Sequence, residues 1–337
     1  MRAPLFWFNP PARPGIWPRL LHPLSILWRV LSDRRQKKGK HLRVSVPVIC
    51  VGNINVGGTG KTPTVIKLIS VLNELGIEAH VISRGYGGSA KGPLRVDETN
   101  HTASDVGDEP ILVAAFGPCW VSRDRASGAE AAIAAGAQVL ILDDGMQNSD
   151  LIKDFTIMVV DAGGGFGNGR LLPAGPLRQS VNAGILAADM MLSIGPQPAQ
   201  TEFSLWFEGA FEGTNELAHV TAVLEPLQTG MLWHDLRAFA FAGIGRPNKF
   251  FDTLRGSGVN VVRTRSFGDH EVLSSKLLKR MEFEATQVGA QLVTTEKDAV
   301  RLPKEWRQKV ITFPVRLEVE NEGILTEAMI EIMRSHK

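Results

Sequence analysis

The chain has 337 residues, of which 44% are hydrophobic and 21% are charged, as is usual for soluble α/β proteins and unlike disordered chains. Its formal net charge is only +2, so the chain as a whole is not suited to binding a polyanion, and no nucleic-acid partner is expected. The length exceeds what one hydrophobic core usually supports, which predicts two domains.

Cysteine content and hydropathy narrow the class further. Cys50 and Cys119 have no metal-ligand spacing, and both are expected to be buried in strands of a protein from a reducing cytoplasm. No uninterrupted apolar run reaches the ~18 residues of a transmembrane helix, and no cleavable signal peptide is expected.

The first predicted element is an amphipathic helix over residues 16–33. Its apolar residues recur every three or four positions: Trp17, Leu20, Leu21, Leu24, Leu27, Trp28 and Leu31. A run of arginine and lysine follows between residues 34 and 43. Tryptophans, an apolar face and flanking cations are typical of a helix that lies in a membrane interface. The alternative is a helix packed on the protein and followed by a solvated charge run.

The next segment has the order strand, glycine-rich loop, helix. An apolar strand at 47–52 precedes the loop, and a helix is predicted from about Thr59 to Leu75. The loop residues are Asn55, Val56, Gly57, Gly58, Thr59, Gly60, Lys61 and Thr62. In such a loop the backbone N–H groups wrap phosphate oxygens, the lysine reaches the β- and γ-phosphates, and the threonine hydroxyl binds Mg²⁺. Asn55 replaces the first consensus glycine, but Asn tolerates left-handed backbone, so the loop can still close.

Alternating strands and helices continue from this loop to residue 194. They predict a P-loop NTPase-like parallel sheet with helices on both faces. A smaller α/β pattern follows from residue 239, and two short alternating segments near 203–211 and 217–224 predict a two-stranded linker between them. The expected parts are therefore an N-terminal helical and basic segment (1–45), a P-loop domain (46–200), a linker (201–235) and a second α/β domain (236–337).

Two pairs of carboxylates are candidates for the chemistry. Asp143 and Asp144 end an apolar strand, as in a Walker B motif, where a carboxylate orders Mg²⁺ beside the phosphates. Asp108 and Glu109 open a helix, whose dipole favours negative charge. Residue physics alone leaves the second pair open between an acidic helix cap and a base or metal ligand.

Further polar residues are candidates for binding. His270 follows Gly268-Asp269 and could share a proton with a carboxylate, although a histidine in a loop is usually only solvated. Several arginines could hold phosphates as bidentate donors, or could simply be surface residues. The residues considered for phosphate or substrate binding are Arg84, Tyr86, Arg123, Gln147, Arg170 and Arg178.

Taken together, these segments resemble the tetraacyldisaccharide 4′-kinase family, the lipid A 4′-kinases of Gram-negative bacteria. The resemblance rests on segments in the family's order: 51–63, Ser83-Arg-Gly-Tyr-Gly-Gly88, Gly107-Asp-Glu-Pro110, Leu142-Asp-Asp-Gly-Met-Gln147, 167–178, Gly268-Asp-His270 and Thr294-Thr-Glu-Lys-Asp-Ala299. They span most of the chain.

The resemblance implies transfer of the γ-phosphate of ATP to the 4′-hydroxyl of tetraacyldisaccharide 1-phosphate, giving lipid IVA. It also implies peripheral attachment to the cytoplasmic face of the bacterial inner membrane through residues 16–43, with no obligate protein partner. By resemblance, Asp108 is the base and His270 its partner from the second domain. Lys61 and Thr62 hold phosphates and Mg²⁺, and Asp143, Asp144 and Glu109 complete the metal site. Asn148 and Gln179 stand where many members have His and Glu, so those two roles are not carried over.

Other functions remain as alternatives. A P-loop ATP-dependent ligase or synthetase would share the phosphate loop but would not need residues 16–43. A nucleotide-binding switch protein of the partition type usually has Lys before the double glycine, where this chain has Val56. A membrane-associated nucleotide-binding scaffold would need no base such as Asp108.

Overall fold

The structure is a computed structural model that describes residues 3–211, 217–268 and 271–336. Its strands are β1 (Val48–Gly52), β2 (Ala79–Ser83), β3 (Leu94–Arg95), β4 (Cys119–Val121), β5 (Val139–Asp143), β6 (Phe155–Asp161), β7 (Met190–Ile194), β8 (Ala218–Pro226), β9 (Arg237–Ala242), β10 (Asn260–Ser266), β11 (Gln291–Thr295), β12 (Ile311–Phe313) and β13 (Val315–Val319).

The helices are α1 (Ile16–Leu20), α2 (His22–Lys37), α3 (Lys61–Glu74), α4 (Ala103–Val106), α5 (Asp108–Ala114), α6 (Arg125–Ala134), α7 (Val181–Leu186), α8 (Gln197–Phe211), α9 (Pro247–Gly256), α10 (Ser275–Gln287), α11 (Glu296–Ala299) and α12 (Glu322–Ser335). Two short 3₁₀ helices lie at Leu5–Phe8 and Lys304–Trp306.

Nine strands form one large sheet in the order β13-β8-β7-β6-β1-β5-β2-β4-β3. The seven strands from β8 to β4 in this order pair in parallel, and only the outermost strand at each edge is antiparallel. Hydrophobic cores cover both faces of the sheet. Every residue of β1 and β5 is buried, as expected for central parallel strands whose sequences are almost continuously apolar. The predicted P-loop NTPase-like architecture is confirmed.

Four parallel strands form a second sheet in the order β10-β9-β11-β12. The alternating side chains of β9 explain its two covered faces, because Phe239 and Phe241 enter one core while Ala238 and Ala240 enter the other. We call residues 227–314 the second unit, and the large sheet with its helices the first unit.

The linker predicted over 201–235 is wrong in its first strand. Residues 203–211 belong to helix α8, in which Phe203 and Phe207 are buried at helical spacing while Leu205 and Trp206 are exposed. The segment 217–224 is a strand, as predicted, but β8 pairs in parallel with β7 and in antiparallel with β13. A two-stranded connection therefore exists, and its second strand is β13.

The predicted boundary of a second domain at 236–337 also needs correction. After β12 the chain returns to the large sheet through β13, and the buried side chains of Leu325 and Met329 place α12 in a core of the first unit. The second unit is thus inserted into the first, between residues 226 and 315, which are register partners.

Candidate active site

The glycine-rich loop follows β1 at the carboxyl edge of the large sheet, where ligands of open α/β folds bind. Gly57 and Gly60 have φ values of 119° and 101°, which L side chains rarely adopt. A Cβ on Gly60 would also lie 2.5 Å from Cδ1 of Ile194. Helix α3 begins at Lys61, so the N-terminus of a 14-residue helix points at the loop.

Asn55 closes the loop by hydrogen bonding rather than by left-handed backbone. Its Nδ2 donates to the carbonyl oxygen of Gly165 at 2.9 Å, and its backbone forms an antiparallel bridge with Leu177. The φ of Asn55 is not positive, so the expected left-handed conformation is not used. Inside the loop, buried Asn53 donates to the Thr59 hydroxyl at 2.9 Å.

Asp143 is a buried carboxylate at the end of β5. Its Oδ2 accepts a hydrogen bond from Ser83 at 3.2 Å, and Oδ1 has no hydrogen-bond partner among the described residues. Burial, followed by the charges of Glu109 and Asp144, raises the pKa of this carboxyl to about 7. A buried oxygen without a partner is a suitable ligand for a hard cation.

Asp144 has a different environment from its neighbour. Arg178 Nη1 donates to both of its oxygens at 3.1 and 3.0 Å, and Lys61 Nζ lies 3.5 Å from Oδ1. Although burial opposes it, the charges of Lys61 and Arg178 keep the pKa of Asp144 below its usual value. Asp144 is therefore ionised and joins the phosphate-loop lysine to an arginine.

The acidic residues do not form a metal cage by themselves. No group of three acidic, histidine or cysteine side chains within the described ranges is arranged to hold a metal ion. Glu109 forms an ion pair with Lys297 at 3.0 Å, and Asp144 is engaged with Arg178. This arrangement suits Mg²⁺, which proteins usually bind through one or two carboxylates together with substrate phosphates.

Asp108 lies at the first position of α5, facing the second unit. Its side chain is almost completely buried, Oδ1 accepts from the Glu109 backbone N–H at 3.1 Å, and Oδ2 lies 3.8 Å from Nε of Arg301. Arg301 also donates to the carbonyl oxygens of Gly243 and Glu271. His270, the predicted partner of Asp108, lies outside the described residues.

The structure brings together some of the predicted binding residues. Gln147 accepts from Arg178 at 3.1 Å and donates to the backbone of Asn53 and to Gln179, so these residues form one network at the phosphate loop. Asn148 instead pairs with Asp150 in a local turn.

The other predicted arginines are more peripheral. Arg84 and Tyr86 follow β2 and Arg123 follows β4, so all three lie at the carboxyl edge of the sheet with exposed side chains. Arg170 is half-buried in the loop after β6. In the described part of the chain no hydrogen bond or ion pair joins Arg84, Arg123 or Arg170 to the phosphate loop.

Sequence reasoning missed several residues at this site. Arg125 is buried and donates to the Asp143 carbonyl at 2.8 Å, which fixes the end of β5. It follows Arg123 by two positions, and only burial distinguishes the two. Lys297 lies in a segment that carried the family resemblance, but no local pattern predicts its pairing with Glu109.

Helices α1 and α2 lie beside the loop that carries Arg178. Ser25 donates to the Leu171 carbonyl at 2.9 Å, and the Trp28 indole donates to the Arg178 carbonyl at 3.0 Å. The apolar face stays open to solvent, with exposed fractions of 63%, 52%, 54% and 55% for Leu20, Leu24, Leu27 and Leu31. Among the described helices, none is long and apolar enough to cross a membrane.

The chain resembles known proteins over nearly its whole length. The family model described as tetraacyldisaccharide-1-P 4′-kinase matches residues 17–334. The tetraacyldisaccharide 4′-kinase of Dinoroseobacter shibae is 54% identical over 330 residues, covering 98% of this chain and 97% of that protein. That of Jannaschia sp. is 50% identical over 333 residues, covering 99% of each.

A solved structure shares the fold. The crystal structure of LpxK from Aquifex aeolicus, described as an "apo" form in complex with ATP, superposes with a TM-score of 0.73. It is 26% identical, and the match covers 94% of this chain and 100% of that one.

Proposed function

The chain belongs to the tetraacyldisaccharide 4′-kinase family, and from this premise we propose how its residues transfer the γ-phosphate of ATP to the 4′-hydroxyl of tetraacyldisaccharide 1-phosphate. The enzyme is an ATP-dependent lipid kinase of lipid A biosynthesis. The observation that carries the proposal is the meeting of Lys61, Asp144 and Arg178 at the phosphate loop.

ATP binds with its phosphates on the loop from Asn55 to Thr62. The N–H groups of Gly57 to Gly60 and the N-terminus of α3 supply donors for the phosphate oxygens. Lys61, aligned by Asp144, contacts the β- and γ-phosphates. Phosphoryl transfer has little covalent chemistry for the protein to perform, so this positioning is a large part of catalysis.

Mg²⁺ would neutralise developing charge on the phosphates when bound. We assign its protein ligands to the unpaired oxygen of Asp143 and the hydroxyl of Thr62, with Asp144 and Glu109 contributing charge nearby. Their ion pairs with Arg178 and Lys297 make these two carboxylates supporting residues rather than primary ligands.

Asp108 acts as the general base. It accepts the proton of the 4′-hydroxyl as the oxygen attacks the γ-phosphorus, and ADP departs with the electrons of the broken bond. Burial at the start of α5, between the two units, protects this carboxylate from water. His270 stays a prediction as its partner.

The acceptor lipid carries a 1-phosphate, and arginines recognise such groups through bidentate hydrogen bonds. Arg178 and Gln147 already form a network beside Asp144. Arg84, Tyr86, Arg123 and Arg170 surround the same edge of the sheet and complete the proposed acceptor site.

The N-terminal helices bring the site to a membrane surface. The exposed leucines of α1 and α2, the tryptophans and the basic segment suit an interfacial helix. Because α2 is hydrogen-bonded to the carbonyls of Leu171 and Arg178, membrane attachment would set the acceptor site at the lipid headgroups. The proposed location is the cytoplasmic face of the inner membrane.

The function is tested with purified protein, Mg-ATP labelled at the γ-phosphate, and the lipid disaccharide 1-phosphate. The wild type is expected to label the lipid, and Lys61→Ala is expected to abolish labelling. Absence of labelling by the wild type would refute the function.

Measuring ATP binding in the same preparations distinguishes a general-base role of Asp108 from a role in binding the nucleotide or metal. Asp108→Ala is expected to lose about 10²- to 10⁴-fold in kcat, as for other general bases, while the Kd of ATP changes little. Comparable loss in both would assign Asp108 to the nucleotide or metal instead. Asp105→Asn is the matched control and should keep kcat, because Asp105 is a half-buried carboxylate of the α4 capping box, and Asn keeps an oxygen that can accept from Thr102.

A further inference from the structure

The turn after β6, residues 161–165, is called the glycine turn here. The Asp161 carbonyl accepts from the N–H groups of Gly164 and Gly165 at 3.0 and 2.8 Å, and its side chain accepts from Gly163 at 3.2 Å. Only 6% of the Asp161 side chain is exposed. The turn thus holds a buried carboxylate beside β1 and the phosphate loop.

Two cations of the second unit reach this carboxylate. Arg246 Nη1 pairs with Oδ2 and Lys249 Nζ pairs with Oδ1. Gly164 leaves the space for Arg246, because a Cβ there would collide with the guanidinium group. A buried carboxylate between two cations is costly to break on one side, since the remaining charges lose their partners.

The same turn also holds the phosphate loop. The Gly165 carbonyl accepts the side-chain hydrogen bond of Asn55. From the other side, Gly245 of the second unit lies against the loop, where a Cβ on it would be 3.4 Å from the backbone nitrogen of Gly58. Gly245 directly precedes Arg246, so the ion pairs and this backbone contact are fixed together.

We infer that Asp161 is a positioning residue that, through Arg246 and Lys249, holds the second unit in contact with the phosphate loop and so sets the affinity for ATP. This inference rests on the proposed binding of ATP at that loop. Without Asp161 the contact between Gly245 and Gly58 loses its neighbouring ion pairs, although Lys297 and Glu109 still pair elsewhere between the units, and it is held less firmly before ATP arrives. ATP must then restore it, and the apparent affinity falls by the fraction of molecules in the competent arrangement.

The decisive variant is Asp161→Asn, which keeps the size of the side chain and removes its charge. We expect the KM for ATP, and the Kd measured by calorimetry without lipid, to rise about 3- to 30-fold. Because saturating ATP restores the contact, kcat should stay within about 2-fold. Asp252→Asn is the matched control: it makes the same change on α9, where the carboxylate is 72% exposed and, among the described residues, forms an ion pair only with Arg255.

A steric variant tests the same contact without changing charge. Gly164→Ala is expected to displace the end of the flexible Arg246 side chain and to raise the KM for ATP in the same direction, but by less than Asp161→Asn. Gly163→Ala is its control in the same turn, because the nearest atom to the new Cβ would be Asp161 Oδ1 at an ordinary 3.7 Å. Neither glycine has a positive φ, so alanine fits both backbones.

A double-mutant cycle tests whether Asp161 and Arg246 act on ATP affinity through the same contact. In the double variant Asp161→Asn with Arg246→Gln, the increases in Kd should be strongly less than multiplicative. Multiplicative effects, or an unchanged Kd in folded Asp161→Asn, would overturn the inference. A fall in kcat with unchanged Kd would do the same. Failure of the wild type to phosphorylate lipid would refute the proposed function, while the binding experiments would still test this contact.

Discussion

The buried position of Asp143 suits it to bind a cation but lowers the stability of the folded protein when its carboxyl is ionised. Its pKa is raised to about 7 by burial and by the carboxylates of Glu109 and Asp144. The folded chain therefore holds a proton between about pH 4 and 7 that the unfolded chain has already released. Stability falls as the pH rises through that window, and the full penalty is present above it.

Asp143→Asn should remove that penalty. In protein free of metal and nucleotide, we expect a higher thermal midpoint than the wild type at pH 8 and a similar one at pH 4.5, measured by calorimetry. Asp144→Asn is the counterpart, because the pKa of Asp144 is lowered by its cations, and its loss should destabilise the protein at pH 8. An equal shift of Asp143→Asn at both pH values would contradict this account.

The sequence predicted those site residues whose role depends on local context. Lys61 follows the glycine loop, and Asp143 ends an apolar strand, so their chemistry follows from neighbours in the chain. Asp161 and Arg246 are 85 positions apart and meet only through the packing of the two units. No spacing in one sequence identifies such a pair.

At the scale of elements, α2 is attached to the protein by side-chain hydrogen bonds while its apolar face stays exposed. Its only buried residue is Ser25, and Leu20, Leu24 and Leu27 before and within it are more than half exposed. A helix that packed on the protein through its apolar stripe would bury these leucines. The exposed leucines are the reason that we keep the interfacial helix as the proposal, and the sequence's two alternatives are left to experiment.

Replacing Leu24 and Leu27 by glutamate should weaken binding to vesicles of anionic lipid. Burying two leucines contributes ~3 to 6 kcal/mol, so a loss of at least tenfold in partition is expected from flotation assays. Leu232→Glu is the control, since this residue is 86% exposed on the second unit. Unchanged partition of the double variant would exclude this face from the membrane contact.

Strands were easier to predict than the connection after β7. A short, continuous apolar run between turn residues, such as β5, indicates a buried strand. The apolar residues of 203–211 instead match both the two-residue repeat of a strand and the three- to four-residue repeat of a helix. The helix is favoured because it buries Phe203 against Phe166 and His219, and Phe207 against His219. That packing is tertiary information, and the local pattern does not contain it.

At the scale of the whole molecule, the second unit is an insertion rather than a C-terminal domain. Pro226 and Val315 are register partners, and the Leu227 N–H donates to the Pro314 carbonyl at 3.0 Å. The amphipathic pattern of residues 323–334 is compatible with α12 but does not identify its partner, because helix periodicity does not say which core a helix covers.

Joining Leu227 to Pro314 by an Asn-Gly turn, with residues 228–313 deleted, should leave a folded first unit. The two strands are antiparallel, so a tight hairpin can close them. We expect a cooperative thermal transition and no kinase activity, measured by circular dichroism and by the labelling assay. Truncation after residue 235 should instead give insoluble protein, since it removes buried Leu317, Leu325 and Met329. Equal solubility of the two fragments would contradict the insertion.

The side-by-side entry and exit of the second unit restrict how it can move. A domain joined by one flexible strand can rotate about every axis, whereas two strands hydrogen-bonded to each other form a ribbon that bends across its flat face much more easily than it twists or stretches. Any approach of the unit to the phosphate loop is thereby confined to nearly one direction. Docking of the unit therefore loses less rotational entropy than docking of a domain joined by one flexible strand.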